Sequence, residues 1–260
     1  MKFKILSIRA TRNILLFLWL LIGHNSSYAQ KKERILMVGN SFTFYYNLPI
    51  TIEQFAKTKG LKWKINQSTA SGATFKQHWQ NKKGLKTTQR LKRKKYTQII
   101  FQEHSTYPLT AIDTTQKYFK KLLKKVPVNT KKHLYATWAY PKLQNKQNKA
   151  ITSVTIEDAL RSVSPQSDVS ILPVGRAFDL FQSRYPNQTL FTSDKKHPNP
   201  IGSYLAACVI FSKISGLSSL GLNRRVASKP RKGKTLYYFI VEKKMAENCQ
   251  RIADEIVFNR

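Results

Sequence analysis

Residues 34–43 read Arg34-Ile35-Leu36-Met37-Val38-Gly39-Asn40-Ser41-Phe42-Thr43, and the placement of the rest of the chain follows from them. Four consecutive apolar side chains run straight into a Gly-Asn-Ser turn. A short apolar run bounded by turn residues is the pattern of a strand buried on both faces, as in a parallel sheet. A serine on the turn after such a strand stands where open parallel sheets present groups to ligands. Much later the chain reads Asp194-Lys195-Lys196-His197-Pro198, just ahead of an apolar helix beginning near Pro200. The two segments together hold a hydroxyl, a base to take its proton and an acid to hold that base, which are the parts of an acyl-transfer site.

Between and beyond these segments, β-rich and helical patterns alternate. Strands are predicted at 34–38, 62–67, 98–101, 133–137 and 169–172. Helices are predicted at 48–59, where Gly60 supplies the stop, and at 112–126, 151–163 and 174–184. In 112–126 the apolar positions Ile112, Thr115, Phe119, Leu122 and Val126 share one face, leaving most of the lysines of 117–125 on a solvated one. The alternation predicts a parallel sheet covered by helices on both sides. Asn199 and Pro200 predict a capped helix start, with His197 in the loop leading to it. The stretch 141–149 is the most linker-like, and no internal repeat is visible.

The first 29 residues read as a secretory signal. Lys2, Lys4, Arg9 and Arg12 precede the apolar stretch Ile14 to Ile22, and Ser27-Tyr28-Ala29 supplies a cleavage site. The alternative, an uncleaved anchor, is disfavoured because so short a stretch does not span about 30 Å of hydrocarbon. Export to a periplasmic or extracellular space is therefore expected, with 30–260 forming one domain that includes a C-terminal helix.

The chain holds 46 lysines and arginines against 13 acids, a formal net charge of +33, and the span 114–156 carries no carboxylate. Such a surface attracts polyanions in a salt-dependent way. Outside the cytoplasm, an acidic polysaccharide or an anionic membrane surface is the expected partner, and no dedicated nucleic-acid site is indicated. The charge is equally consistent with a lysine-rich composition that has no dedicated partner. The two cysteines, Cys208 and Cys249, exclude a cysteine-rich zinc site, and Cys208 sits in an apolar run as a buried thiol would. The five histidines show no ligand pair at helical spacing, so no metal or organic cofactor is implied.

On a parallel sheet, Ser41 after the first strand, Gly72 after the second and Gln102-Glu103-His104-Ser105 after the third converge on one rim. Taken singly, Ser41 also reads as a turn-capping serine and Asp194 as an acid preceding a helix. In combination these residues resemble the SGNH hydrolases, the GDSL-type esterases and lipases. The first block is similar to the subgroup that writes Gly-Asn-Ser-Phe-Thr, and the last, Asp194-x-x-His197-Pro-Asn-Pro-x-Gly202-x-Tyr204-Leu205, to that subgroup's ending. The resemblance runs from about Arg34 to Phe258 and implies a flavodoxin-like three-layer α/β/α sandwich around a mostly parallel five-stranded sheet. It also implies Ser41 as nucleophile, His197 as general base and then acid, and Asp194 as the group orienting the imidazole. The implied oxyanion hole comprises the Ser41 and Gly72 N–H groups and an amide after the third strand. Relatives carry Gly-x-Asn-Asp at that last position and this chain does not, so Gln102 is the expected donor and His104 its alternative. Asn40, where most relatives have aspartate, is expected to be structural. Phe42, Phe44, Tyr45, His78, Trp79, Trp138 and Tyr140 are aromatic candidates for a substrate wall or for packing, with Trp138 and His104 the nominated substrate contacts.

The expected function is an exported serine esterase that removes a short acyl group, such as acetyl, from a carbohydrate. The alternatives are a lipid or lysophospholipid acyl hydrolase and a non-catalytic polyanion-binding protein on the same fold.

Overall fold

The computed structural model describes residues 32–93, 95–144, 151–164, 168–228 and 233–259. The expected signal segment, and residues 145–149 of the linker-like stretch, lie outside the described residues. Five strands, β1 (Glu33–Gly39), β2 (Trp63–Thr69), β3 (Gln98–Phe101), β4 (Lys131–Tyr135) and β5 (Val169–Leu172), form one sheet in the order β2-β1-β3-β4-β5. Every neighbouring pair in it is parallel. The apolar run Ile35 to Val38 is the reason β1 is interior: all four residues are fully buried, as is all of β3 beside it.

The longer helices are α1 (Leu48–Thr58), α2 (Ile112–Leu123), α3 (Ser153–Val163), α4 (Val174–Arg184), α5 (Pro200–Ser215) and α6 (Lys243–Phe258). The chain moves from β1 to β2 in one direction and from β3 to β5 in the other. Right-handed crossovers therefore put α1 on one face and α2 and α3 on the other. Helices α4, α5 and α6 pack together, and α5 also packs on α1, completing three layers. The α5 helix is apolar all round because α1, α4 and α6 enclose it. It starts as expected: the Asn199 side chain accepts the Gly202 N–H, and Pro200 occupies the first turn. On α2 the buried residues are Thr115, Phe119 and Leu122, while Lys121 and Lys125 lie over the Trp79 ring.

Sequence pattern missed a hairpin, β6 (Arg225–Ser228) with β7 (Leu236–Ile240). Its alternation is broken by a register shift between Val226 and Ala227, so no period-2 signal survives. The hairpin packs on α1 and on the 3₁₀ turn Tyr45–Asn47, where Phe239 meets Tyr46 edge-on. Cys208 and Cys249 are buried, unpaired thiols. No helix among the described residues is long and apolar enough to cross a membrane.

Candidate active site

The site begins at the carboxyl end of β1. Asn40 caps the helical turn Ser41–Phe44, its Oδ1 accepting the Phe42 N–H at 3.2 Å while its Nδ2 donates to the Ala73 carbonyl at 3.1 Å. Asn40 thus ties the loop after β2 to the serine turn, the structural role expected of it. Gly39 is required by close approach: a methyl there would lie 2.3 Å from Thr43 Oγ1 and 2.6 Å from Gln102 Oε1. Beneath the turn, His78 is fully buried between Thr87 Oγ1 and the Gly39 carbonyl, and burial lowers its pKa to about 4. It is therefore a neutral strut and not part of a substrate wall.

Three residues from different ends of the chain meet in one hydrogen-bonded line. Ser41 Oγ lies 2.8 Å from His197 Nε2, and His197 Nδ1 lies 2.5 Å from Asp194 Oδ2. The other oxygen of Asp194 accepts from Thr192 Oγ1 and from the Lys196 and His197 N–H groups. Desolvation pulls the Asp194 pKa upward, but these donors, the His197 ring first, outweigh it and hold the carboxyl well below its ordinary range. An ionised Asp194 keeps the Nδ1 proton toward itself and leaves Nε2 to accept from the serine. The reversal between Asp194 and His197 needs a left-handed residue, which Lys195 supplies at φ 57°. The Phe191–Pro198 bridge and the Trp138 Nε1–H to Lys196 carbonyl bond (3.1 Å) anchor that loop.

Rings enclose the imidazole. Tyr45 stacks on His197 with centroids 4.3 Å apart, and Phe42 meets it edge-on at 5.4 Å. Trp138 does not form a substrate wall as nominated: it is fully buried, stacked between Phe42 at 4.5 Å and Phe178 at 4.1 Å. Its flat faces are both used by neighbours, so it positions Phe42 and the His197 loop.

Gln102 departs from the expected donor role. Its Oε1 accepts the Asn40 N–H at 2.9 Å and the Thr43 hydroxyl at 3.0 Å, and its Nε2 donates to the Glu103 carbonyl. The Asn40 N–H demands an acceptor, which fixes this amide orientation. The side chain braces the serine turn with both its polar atoms engaged. No described hydrogen bond takes the Ser41 or Gly72 N–H. Gly72 adopts φ +59°, which glycine tolerates best.

His104, half-buried, lies next along the same rim. Its Nδ1 faces Thr106 Oγ1 at 3.1 Å and the Thr106 N–H at 3.5 Å, which leaves the proton on Nε2. Burial, then the charges of Lys196 and Lys83, lower its pKa and keep the ring neutral. Sequence pattern placed Glu103 on this rim without giving it a role. It is buried, and its Oε1 accepts the Phe75 and His104 N–H groups at 2.9 and 2.7 Å. Burial raises its pKa to about 7 against the pull of those donors and of the nearby Thr115 hydroxyl. Glu103 Oε2 and Thr115 Oγ1 nevertheless lack a partner in hydrogen-bonding geometry. Only burial revealed by the fold distinguishes this carboxylate from an ordinary surface acid.

No protein-family model and no curated protein matches the chain. Solved structures do. A DUF4886 family protein from Bacteroides uniformis superposes with a TM-score of 0.67 at 17% identity, over 88% of this chain and 96% of that one. A putative SGNH hydrolase from Slackia heliotrinireducens gives 0.57 at 21% identity, over 71% of this chain and 100% of that one. The lipase/acylhydrolase from Enterococcus faecalis gives 0.57 at 10% identity, over 71% and 96%. The chain has the α/β fold of the SGNH hydrolase structures, built on a five-stranded parallel sheet.

Proposed function

We propose that the protein is a serine esterase acting on a carboxylic ester with a short acyl group. The observation that carries this is the unbroken line Ser41 Oγ, His197 Nε2, His197 Nδ1, Asp194 Oδ2, with contacts of 2.8 and 2.5 Å. A serine hydroxyl is a poor nucleophile at neutral pH until a base takes its proton. Ser41 Oγ attacks the carbonyl carbon as its proton passes to His197 Nε2, and the carbonyl π pair moves onto oxygen. Collapse breaks the bond to the alcohol oxygen, which takes the Nε2 proton and leaves an acyl-enzyme. Water, deprotonated by the same nitrogen, then releases the acid and restores Ser41.

The developing oxyanion is received by the Ser41 and Gly72 N–H groups and by His104 Nε2–H. The last is chosen over Gln102, whose amide is committed to Asn40, Thr43 and Glu103. A small acyl group is favoured because rings already crowd the imidazole, Tyr45 stacked on it at 4.3 Å and Phe42 edge-on at 5.4 Å. The structural neighbours support ester hydrolysis as the chemistry, since one is described as a lipase/acylhydrolase. We further propose export, from the leading segment, and a carbohydrate alcohol, from the basic surface.

The test is hydrolysis of a short-chain aryl ester by the purified protein and by Ser41→Ala. A folded Ser41→Ala protein that retains the wild-type rate would falsify the assignment. Acetate released from an acetylated polysaccharide supports the carbohydrate reading, and lysophospholipid turnover without acetate release contradicts it.

A further inference from the structure

Ser41, Gly72 and His104, whose N–H groups are proposed to receive the oxyanion, sit on separate loops after β1, β2 and β3. One buried oxygen ties two of those loops together. Glu103 Oε1 accepts the Phe75 N–H at 2.9 Å and the His104 N–H at 2.7 Å. Phe75 ends the loop that carries Gly72, and His104 belongs to the loop after β3. Among the described residues, the bond from Phe75 is the only hydrogen bond between these two loops.

The rest of each loop is anchored in its own way. Gly72 lies inside the turn closed by the Ala73 N–H on the Ala70 carbonyl at 3.1 Å, and the Ala73 carbonyl accepts Asn40 Nδ2 at 3.1 Å. Asn40 also caps the Ser41 turn. Phe75, the first residue of the helical turn Phe75–Trp79, is fully buried, with its ring stacked on Phe119 and edge-on to Phe101. The His104 ring is oriented by Thr106, whose Oγ1 lies 3.1 Å from Nδ1. Asn40 thus fixes the Gly72 loop relative to Ser41, and Glu103 fixes His104 relative to the Gly72 loop.

A carboxyl is a costly group to bury for two backbone N–H bonds. What the bridge requires is an acceptor oxygen at this reach from β3, and a shorter side chain does not supply it. Burial raises the Glu103 pKa to about 7, so ionised and protonated forms are both populated near neutral pH, and each retains an acceptor oxygen. The bridge therefore depends on the reach of the oxygen and not on its charge.

We propose that Glu103 is a positioning residue that sets the spacing of the oxyanion donors, holding His104 and the Gly72 loop in one fixed relation. This deepens the esterase reading and rests on it. Donors stabilise an oxyanion well when they need no rearrangement as charge develops, and a misplacement of about 1 Å costs on the order of 10²-fold in rate.

The test is kcat and KM for an aryl acetate in Glu103→Ala, Glu103→Asp and Glu103→Gln, each referred to folded protein. Glu103→Ala is expected to lower kcat about 10–100-fold with KM within about twofold of wild type, because the loss falls on the transition state. Glu103→Asp, with its carboxyl drawn back toward the backbone, should lose about tenfold. Glu103→Gln keeps both reach and acceptor and should stay within about threefold of wild type. In a His104→Ala background the effect of Glu103→Ala should shrink to about fivefold or less, since one of the donors it places is already gone. Should Glu103→Ala fail to fold, the Asp and Gln variants decide. A wild-type kcat in Glu103→Asp, a Gln variant as impaired as the Asp variant, or an undiminished Ala effect in the His104→Ala background would overturn the inference while leaving the esterase reading standing. No hydrolysis by the wild-type protein would remove both.

Discussion

The Asn40 N–H donates to Gln102 Oε1 at 2.9 Å, so the residue expected to face the oxyanion instead grips the turn that presents Ser41. Because the same oxygen also accepts from Thr43, removing it strands two buried donors. Gln102→Leu should lower the unfolding free energy by about 1–3 kcal/mol, measured by denaturant titration. His104→Ala should do the reverse in kind. It should leave the unfolding midpoint nearly unchanged and lower kcat about 10²–10³-fold, the usual effect of losing one oxyanion donor. Equal kcat losses with no difference in stability would contradict this division of roles.

Asp194→Asn should keep the fold, since the side chain is 44% exposed, and abolish most turnover. The amide no longer favours the Nδ1 tautomer of His197 or the imidazolium formed on attack. The expected loss in kcat is about 10⁴-fold, read from initial rates on an aryl acetate.

Glu103 makes stability depend on pH. A carboxyl with a folded-state pKa of about 7 against an ordinary 4.5 holds its proton more tightly in the folded chain. Its stabilising contribution is therefore complete below the ordinary value and is lost as pH rises toward 7. Glu103→Gln keeps an acceptor for the Phe75 and His104 N–H groups but does not titrate. Across that window the wild type should lose roughly 3 kcal/mol relative to the variant, seen as diverging urea midpoints. Parallel pH profiles would refute the assignment.

Trp138 offers a test of packing against binding. Trp138→Ala should cost about 3–5 kcal/mol of stability through the cavity left between Phe42 and Phe178. Trp138→Phe should cost less and act on the site, because it removes the indole bond to the Lys196 carbonyl that steadies the His197 loop. The expected signature is a lowered kcat with little change in KM. A substrate-stacking residue would show the opposite split.

Much of this molecule is readable in local pattern. The apolar run Ile35 to Val38 specifies a buried strand, and the Asn199-Pro200 pair specifies where α5 begins, because strand burial and helix capping act over a few residues. Alternating strands and helices then dictate parallel order and place Ser41, Gly72 and Gln102 on one rim. The hairpin β6–β7 was not legible, since a register break erased its periodicity. The orientation of Gln102, the burial of Glu103 and the enclosure of Trp138 were not legible either. Each depends on which atoms other elements bring alongside: the Asn40 N–H, the Phe75 and His104 N–H groups, the rings of Phe42 and Phe178. The sequence alone singled out Ser41, Asp194 and His197 as a group whose side chains can pass a proton among them. Only the tertiary structure decided that Ser41 and His197 meet at 2.8 Å, and that the amide expected to help them is spent on holding the turn. Side-chain identity sets what a group can donate or accept, whereas its partner is whichever group the packed fold leaves within reach.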